Sequence, residues 1–130
     1  MDLMNRDNVS ANGLGDLERA IMECLWATET PLIVREIAER LEQTDGRKRA
    51  YTTVMTVADR LAKKGLTERV RDGRAWRYSA ASSREELTAQ ALRETLADWA
   101  GPAESDAVLH FLQDMSDRDL ARVRKALEAL

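Results

Sequence analysis

"AYTTVMTVADRLAKKGLTERVRDGRAWRYSA", residues 50–80, sets a helix directly in front of a hairpin. In its first half Val54, Val57, Ala58 and Leu61 recur at i, i+3, i+4 and i+7, the stripe of an amphipathic helix that packs on a core. The opposite face carries Thr52, Thr53, Met55, Thr56, Arg60, Lys63 and Lys64. Threonine is a mediocre helix former, so propensity does not ask for three of them on a solvent-facing surface. Gly65 ends the helix, because the position after the last turn favours glycine in the left-handed conformation. Beyond it residues 66–70 and 75–79 alternate as two strands across Arg71-Asp72-Gly73-Arg74, and Asp-Gly between such runs is a strong hairpin signal.

Upstream, residues 1–13 are polar and Asn-rich without periodicity and are expected to form a disordered arm. Asp16 is the expected N-cap of a helix through Leu17, Ala20, Ile21, Cys24 and Leu25 that ends near Ala27. Thr30-Pro31 breaks the chain, "PLIV" makes a very short strand, and a second helix over residues 34–41 turns Ile37, Ala38 and Leu41 inward. A turn at Asp45-Gly46 leads into the quoted helix. Helix, short strand, helix, helix, hairpin is the order of a winged helix-turn-helix, here residues 14–80, with three helices and a small β-hairpin wing. In such a domain the helix before the hairpin enters the major groove of DNA, where threonine supplies a methyl for thymine and a hydroxyl for base edges. Thr53, Met55 and Thr56 are the base-reading candidates. Arg47, Arg49, Thr52, Arg60, Lys63 and Lys64 are placed to hold the DNA backbone, and Arg71 and Arg74 lie at the wing tip.

Residues 81–130 read as helical throughout, which makes the fold class mainly α. Ser83 and Glu86 have capping-box spacing, and Ala89, Leu92, Leu96 and Trp99 then repeat at 3, 4, 3. Gly101-Pro102 stops that helix. A second helix offers Val108, Leu112 and Met115, and a third, capped at Ser116, offers Leu120, Val123, Leu127 and Leu130. Helices this short are marginal alone. Their seams, formed by Leu92, Leu96, Trp99, Leu112, Leu120, Val123 and Leu127, are expected to pack against a second copy, which makes this a helical dimerisation domain and the protein a homodimer.

Composition limits the alternatives. With 130 residues, 44% hydrophobic and 33% charged, the chain is neither disordered nor membranous as a whole. No apolar run approaches the roughly 20 residues that cross a bilayer, and the first residues lack the apolar core of a signal peptide, so a cytoplasmic protein without membrane association is expected. One cysteine and one histidine exclude an intrachain disulfide and the common Cys/His metal sites. No metal or other cofactor is expected. Cys24, beside Ile21 and Leu25, reads as a small hydrophobe. His110, between Leu109 and Phe111, reads as a partly buried packing residue. Trp26 is expected to close the winged core and Trp76 to pack in the hairpin, whereas Trp99 fits either a core within one subunit or a dimer anchor. No Ser/His/Asp set or phosphate-binding glycine loop is present: "GRKRAYTT" lacks the required Gly-x-x-x-x-Gly-Lys-Ser/Thr spacing. Catalytic residues are accordingly not assigned.

A net charge of −3 would by itself argue against nucleic acid as a partner. The distribution reverses that argument. Between Arg47 and Tyr78 ten basic side chains face three acidic ones, a surplus of seven, while residues 1–46 carry four against ten and residues 79–130 six against ten. A charge run alone is usually solvated surface; joined to the element order and the hydroxyl-bearing face it points to double-stranded DNA. The competing reading is a winged-helix protein-interaction module using the same surface, which would lack the steep salt dependence of phosphate contacts.

The stretches "GDLERAIMECLW", "PLIVREIAERL", "AYTTVMTVADRLAKKGL" and "RAWRYSA" resemble the penicillinase repressor family (BlaI/MecI/CopY) of bacterial transcription regulators, strongly over residues 14–79 and more weakly, by pattern and length, over the C-terminal helices. The resemblance implies a homodimeric repressor that occludes promoters at palindromes with TACA and TGTA half-sites, among them those of beta-lactam-resistance genes. It places Thr53, Met55 and Thr56 at the base-reading positions. Beta-lactam-responsive members are relieved by an inducing protease that cuts an Asn-Phe bond in the C-terminal domain; the matching stretch "DAVLHFLQDMSDRDL" puts His110-Phe111 in that cleavage region. The Cys-x-Cys pair of the copper-responsive branch is missing from this sequence, which sets copper sensing by that route aside.

Overall fold

The computed structural model describes residues 12–130. Of the arm expected over residues 1–13, residues 1–11 therefore lie outside the described residues. Asn12 is held in place, its amide Nδ2 donating to the Ala91 carbonyl at 3.0 Å. The chain divides into two compact units, one reaching Ala91 and the other running from Leu92 to Leu130.

The first unit holds α1 (Asp16–Trp26), β1 (Leu32–Ile33), α2 (Val34–Asp45), α3 (Tyr51–Lys63), β2 (Thr67–Asp72), β3 (Ala75–Ala80) and the opening turns of α4 (Arg84–Thr95). Its antiparallel sheet has the order β1-β3-β2, with Leu32 opposite Tyr78 and Tyr78 opposite Arg69. This is the winged helix-turn-helix expected from the sequence. All four stripe residues of α3, Val54, Val57, Ala58 and Leu61, are buried. They meet Ile21, Met22 and Leu25 of α1, Ile37 and Leu41 of α2, Leu32 and Tyr78 of the sheet, and Leu87 of α4 in one core. Leu87 explains why the unit extends to Ala91 and not to residue 80: the first turns of α4 cover this core.

Several boundaries differ from the sequence expectation, each for a local reason. The N-cap of α1 is Gly15, and Asp16 is the first helical residue. Glu18 supplies the cap from three residues on, its Oε1 accepting the Gly15 N–H at 3.0 Å. Helix α2 continues to Asp45, where Gly46 in the left-handed conformation closes it. The hairpin strands are longer than expected, and Asp72 pairs with Ala75. Gly73 and Arg74 are thus the two central turn residues, with φ +63° at Gly73, where a type II′ turn needs glycine. Trp26 packs against the core and donates Nε1–H to the Ser82 carbonyl at 2.9 Å. Burial pushes the Cys24 thiol up, in keeping with a small hydrophobe.

The second unit contains a π-helical turn (Leu96–Ala100), a 3-10 turn (Gly101–Ala103), α5 (Glu104–Gln113) and α6 (Asp117–Glu128). Ser83 and Glu86 cap α4 reciprocally, at 2.8 and 3.1 Å, and Ser116 Oγ caps α6 through the Asp119 N–H at 3.1 Å. The π-helical turn widens the backbone spiral, so the 3-4-3 spacing expected through Trp99 does not hold past Thr95. No residue from Leu92 to Leu130 is buried. Leu96, Leu112, Leu120 and Val123 are half-buried, while Leu92, Leu127 and Trp99 are exposed, Trp99 by 87%. That excludes the option of Trp99 as core within one chain. His110 is also exposed, not partly buried.

Glu18 links two elements of the first unit. Its second oxygen accepts Lys64 Nζ at 2.9 Å, and its side chain is 8% exposed. Burial alone would push this carboxyl up, but the Gly15 N–H and the Lys64 ammonium outweigh burial and hold it below its ordinary value of 4.5. A carboxyl lowered on folding contributes stability that is present above its unfolded pKa and lost as pH falls through the folded one. Glu18→Gln is expected to cost about 2 kcal/mol at pH 7. The gap between the two urea midpoints should hold down to the ordinary carboxylate range and close below it; a gap independent of pH from 7 to 3 would refute the ionic role.

Candidate nucleic-acid interface

The exposed side of α3 follows from which side is buried. With Val54, Val57, Ala58 and Leu61 in the core, Thr52, Thr53, Thr56, Arg60 and Lys63 are left exposed. The Thr56 hydroxyl donates to the Thr52 carbonyl at 2.8 Å. That fixes its donor inward and leaves the methyl and an oxygen lone pair facing out. Met55 is half-buried against the core, so only part of its side chain is offered on this face.

The turn into α3 is organised by Asp45. Its carboxylate accepts the Arg49 guanidinium at 2.5 Å and the Arg47 backbone N–H at 2.9 Å, and the Arg49 bond above all holds it below the usual range. Arg49 is consequently tied down within the fold. Lys64 is held in the same sense by Glu18. Arg47, Arg60 and Lys63 make no side-chain hydrogen bond or ion pair among the described residues.

The wing is fastened to α3 through Asp59. One oxygen of its carboxylate accepts both the Tyr78 hydroxyl and Arg69 Nη1, the latter at 2.9 Å. Tyr78 is 1% exposed, and burial together with the Asp59 carboxylate drives its hydroxyl up to about 12. On the same face of the hairpin Trp76 is flanked by two guanidiniums, Arg69 at 4.4 Å and Arg71 at 5.0 Å from the ring centroid. Arg71 also donates Nε–H to the Gly73 carbonyl at 3.0 Å. Arg74 at the tip is exposed and without such a partner among the described residues. Arg77, on the other face, reaches Asp72 at 2.6 Å and Glu36 at 3.5 Å.

The penicillinase repressor family model matches residues 14–129. The chain belongs to the penicillinase repressor family. It is 42% identical over 118 residues to the transcriptional regulator BlaI of Mycobacterium tuberculosis, in strains CDC 1551 / Oshkosh and H37Rv, covering 90% of this chain and 84% of the relative. Among solved structures it is similar to the DNA-binding domain of the repressor BlaI, with a TM-score of 0.50 and 22% identity over 60% of this chain and 92% of that one. It is also similar to RosR of H. salinarum, with a TM-score of 0.53 and 20% identity over 93% of this chain and all of the other. These likenesses agree with the winged-helix fold. As a member of the penicillinase repressor family the protein is a DNA-binding transcriptional regulator and not an enzyme.

Within that family frame, the structure brings Thr52, Thr53, Thr56, Arg60 and Lys63 onto one exposed face, and the hairpin places Arg71 and Arg74 in the wing. Arg49 and Lys64 stand apart from the other cations, being internally paired. Sequence reasoning missed the Asp59–Tyr78–Arg69 junction, since nothing in the spacing says which acidic group in a basic stretch is the structural one. Among the described residues no group of three or more His, Cys, Asp or Glu could hold a metal ion, and no helix is long and apolar enough to cross a membrane.

Removing the Tyr78 hydroxyl would leave Arg69 alone on the inner oxygen of Asp59. Tyr78→Phe is expected to destabilise the protein by about 1–3 kcal/mol, measured as a shift in the urea midpoint. An unchanged midpoint would mean that the shared carboxylate does not brace the wing.

Proposed function

We propose that this chain is a sequence-specific repressor that binds a palindromic operator as a homodimer and occludes the promoters of beta-lactam-resistance or related genes. The observation that carries the proposal is the exposed threonine face of α3 among cations, Arg47, Arg60 and Lys63, that make no side-chain hydrogen bond or salt bridge among the described residues. Thr53 and Thr56 present methyls to thymine and hydroxyl oxygens to base-edge donors, with Met55 at the margin of the same face. Arg47, Thr52, Arg60 and Lys63 hold phosphates and set register, as do Arg71 and Arg74 from the wing. Arg49 and Lys64 contribute to the local field while remaining bound to Asp45 and Glu18. TACA and TGTA half-sites are the operator elements that the family resemblance implies.

The second unit supports the homodimer. A helical segment with no buried residue and with Leu92, Trp99, Phe111 and Leu127 exposed gains stability only by covering that surface. A second copy covers it, with Leu96, Leu112, Leu120 and Val123 extending the seam. Linking two winged domains raises the effective concentration of one reading helix at its half-site once the other is bound. Relief of repression uses an inducing protease acting near His110-Phe111, both exposed on α5.

Fluorescence anisotropy on a labelled TACA/TGTA duplex and a scrambled one, at two salt concentrations, tests the operator. Salt-sensitive binding that prefers the palindrome is expected, and Thr56→Ala should weaken binding to the palindrome about tenfold with little change on the scrambled duplex. Equal losses on both would remove Thr56 from base reading, and equal weak binding of the wild type would overturn the operator. Sedimentation equilibrium tests the seam: Trp99→Glu is expected to shift a dimer toward monomer, and an unaltered dimer would place the interface elsewhere.

A further inference from the structure

Between the start of α3 and the wing lies a cleft of about 240 Å3. Met55, Trp76 and Tyr78 line it from the core side, and Arg35, Tyr51 and Arg74 are exposed around it. Its chemistry is divided: half-buried apolar surface within, two guanidiniums and a phenol at the rim. Five cations of the first unit neutralise an internal carboxylate, namely Arg49, Lys64, Arg69, Arg77 and Arg84. Arg35 and Arg74 do not: neither makes a side-chain hydrogen bond or ion pair among the described residues. Tyr51, 54% exposed, likewise has no hydroxyl partner there.

Two arginines that keep their charge at any physiological pH, set beside an apolar floor, suit a ligand with an anionic group on a weakly polar body. A DNA strand has that character, with phosphates that guanidinium binds bidentately and deoxyribose faces that pack on apolar side chains. The position of the cleft agrees, since Tyr51 and Met55 belong to the helix that carries the threonine face. We propose that this cleft seats the sugar-phosphate backbone of the strand flanking the reading helix, with Arg35 and Tyr51 as phosphate contacts opposite Arg74 of the wing. The proposal rests on the operator-binding function given above and adds to it a site on α2, a helix outside the basic stretch. Arg35 contributes affinity without reading sequence.

The test uses the full chain and its Arg35→Gln, Tyr51→Phe and Arg40→Gln variants. Arg40 is an exposed residue of the same helix outside the cleft, so its variant loses the same charge at a different place. Anisotropy titrations on the palindromic and scrambled duplexes across a salt series give the slope of log Kd against log salt. Arg35→Gln is expected to reduce that slope by about one for each half-site occupied, and to weaken both duplexes by a similar factor. Tyr51→Phe should weaken binding about five-fold without altering the slope, as loss of one neutral hydrogen bond would. Arg40→Gln should leave the slope nearly at the wild-type value. An Arg35→Gln slope matching that of Arg40→Gln overturns the proposal while leaving operator binding intact. A loss confined to the palindrome would make Arg35 a base reader and overturn it as well. Wild-type protein that binds neither duplex would instead defeat the operator-binding function itself, and the cleft with it. Coincident thermal melts of the variants exclude misfolding as the cause.

Discussion

The Asp59 carboxylate, carried on α3, accepts the Tyr78 hydroxyl from β3 and the Arg69 guanidinium from β2 on a single oxygen. That junction ties α3 to the wing, and the threonine face and the hairpin become one surface through it. Tyr78 stands at the centre of the sheet, opposite Leu32 on one side and Arg69 on the other. Its buried ring therefore joins the short first strand, the wing and α3 to the same core. An acidic group on the helix proposed to read DNA would repel phosphates if left bare. Paired to Arg69, it becomes a brace whose charge is locally cancelled.

The basic stretch is accordingly two populations with different work. Arg49, Lys64, Arg69 and Arg77 hold carboxylates and shape the domain. Arg47, Arg60, Lys63 and Arg74 have no such partner among the described residues and remain available to a polyanion. Arg71 stands between the two groups, ordered by Trp76 and its own turn but still exposed. Ordering an arginine before it binds reduces the rotamer entropy lost on contact. An acidic protein can in this way present a local cationic surface without a basic overall composition.

The second unit obeys a different constraint. Its helices are regular, and Ser116 caps α6, yet they bury no residue. Ser116 sets where α6 begins, while the apolar surface that would stabilise α5 and α6 stays in water. The π-helical turn at Leu96–Ala100 carries Trp99, which is 87% exposed. The proposed dimer is the arrangement in which that surface is removed from solvent.

The sequence by itself determined the order of elements, the inward stripe of α3, the glycine that ends it and the caps of α4 and α6. Each of these is a local property, set by side-chain periodicity or by which residue tolerates a given backbone conformation. It also held the family resemblance, because the run around Thr52, Thr53, Met55 and Thr56 lies within one contiguous helix. What only the tertiary structure decided was the assignment of charges: that Glu18 holds Lys64, that Asp59 braces the wing, and that Arg35 and Tyr51 meet Arg74 across a cleft. These pairings join residues distant in sequence, such as Glu18 and Lys64. No spacing rule can reach them, because Coulomb attraction depends on separation in space and the fold alone sets that separation.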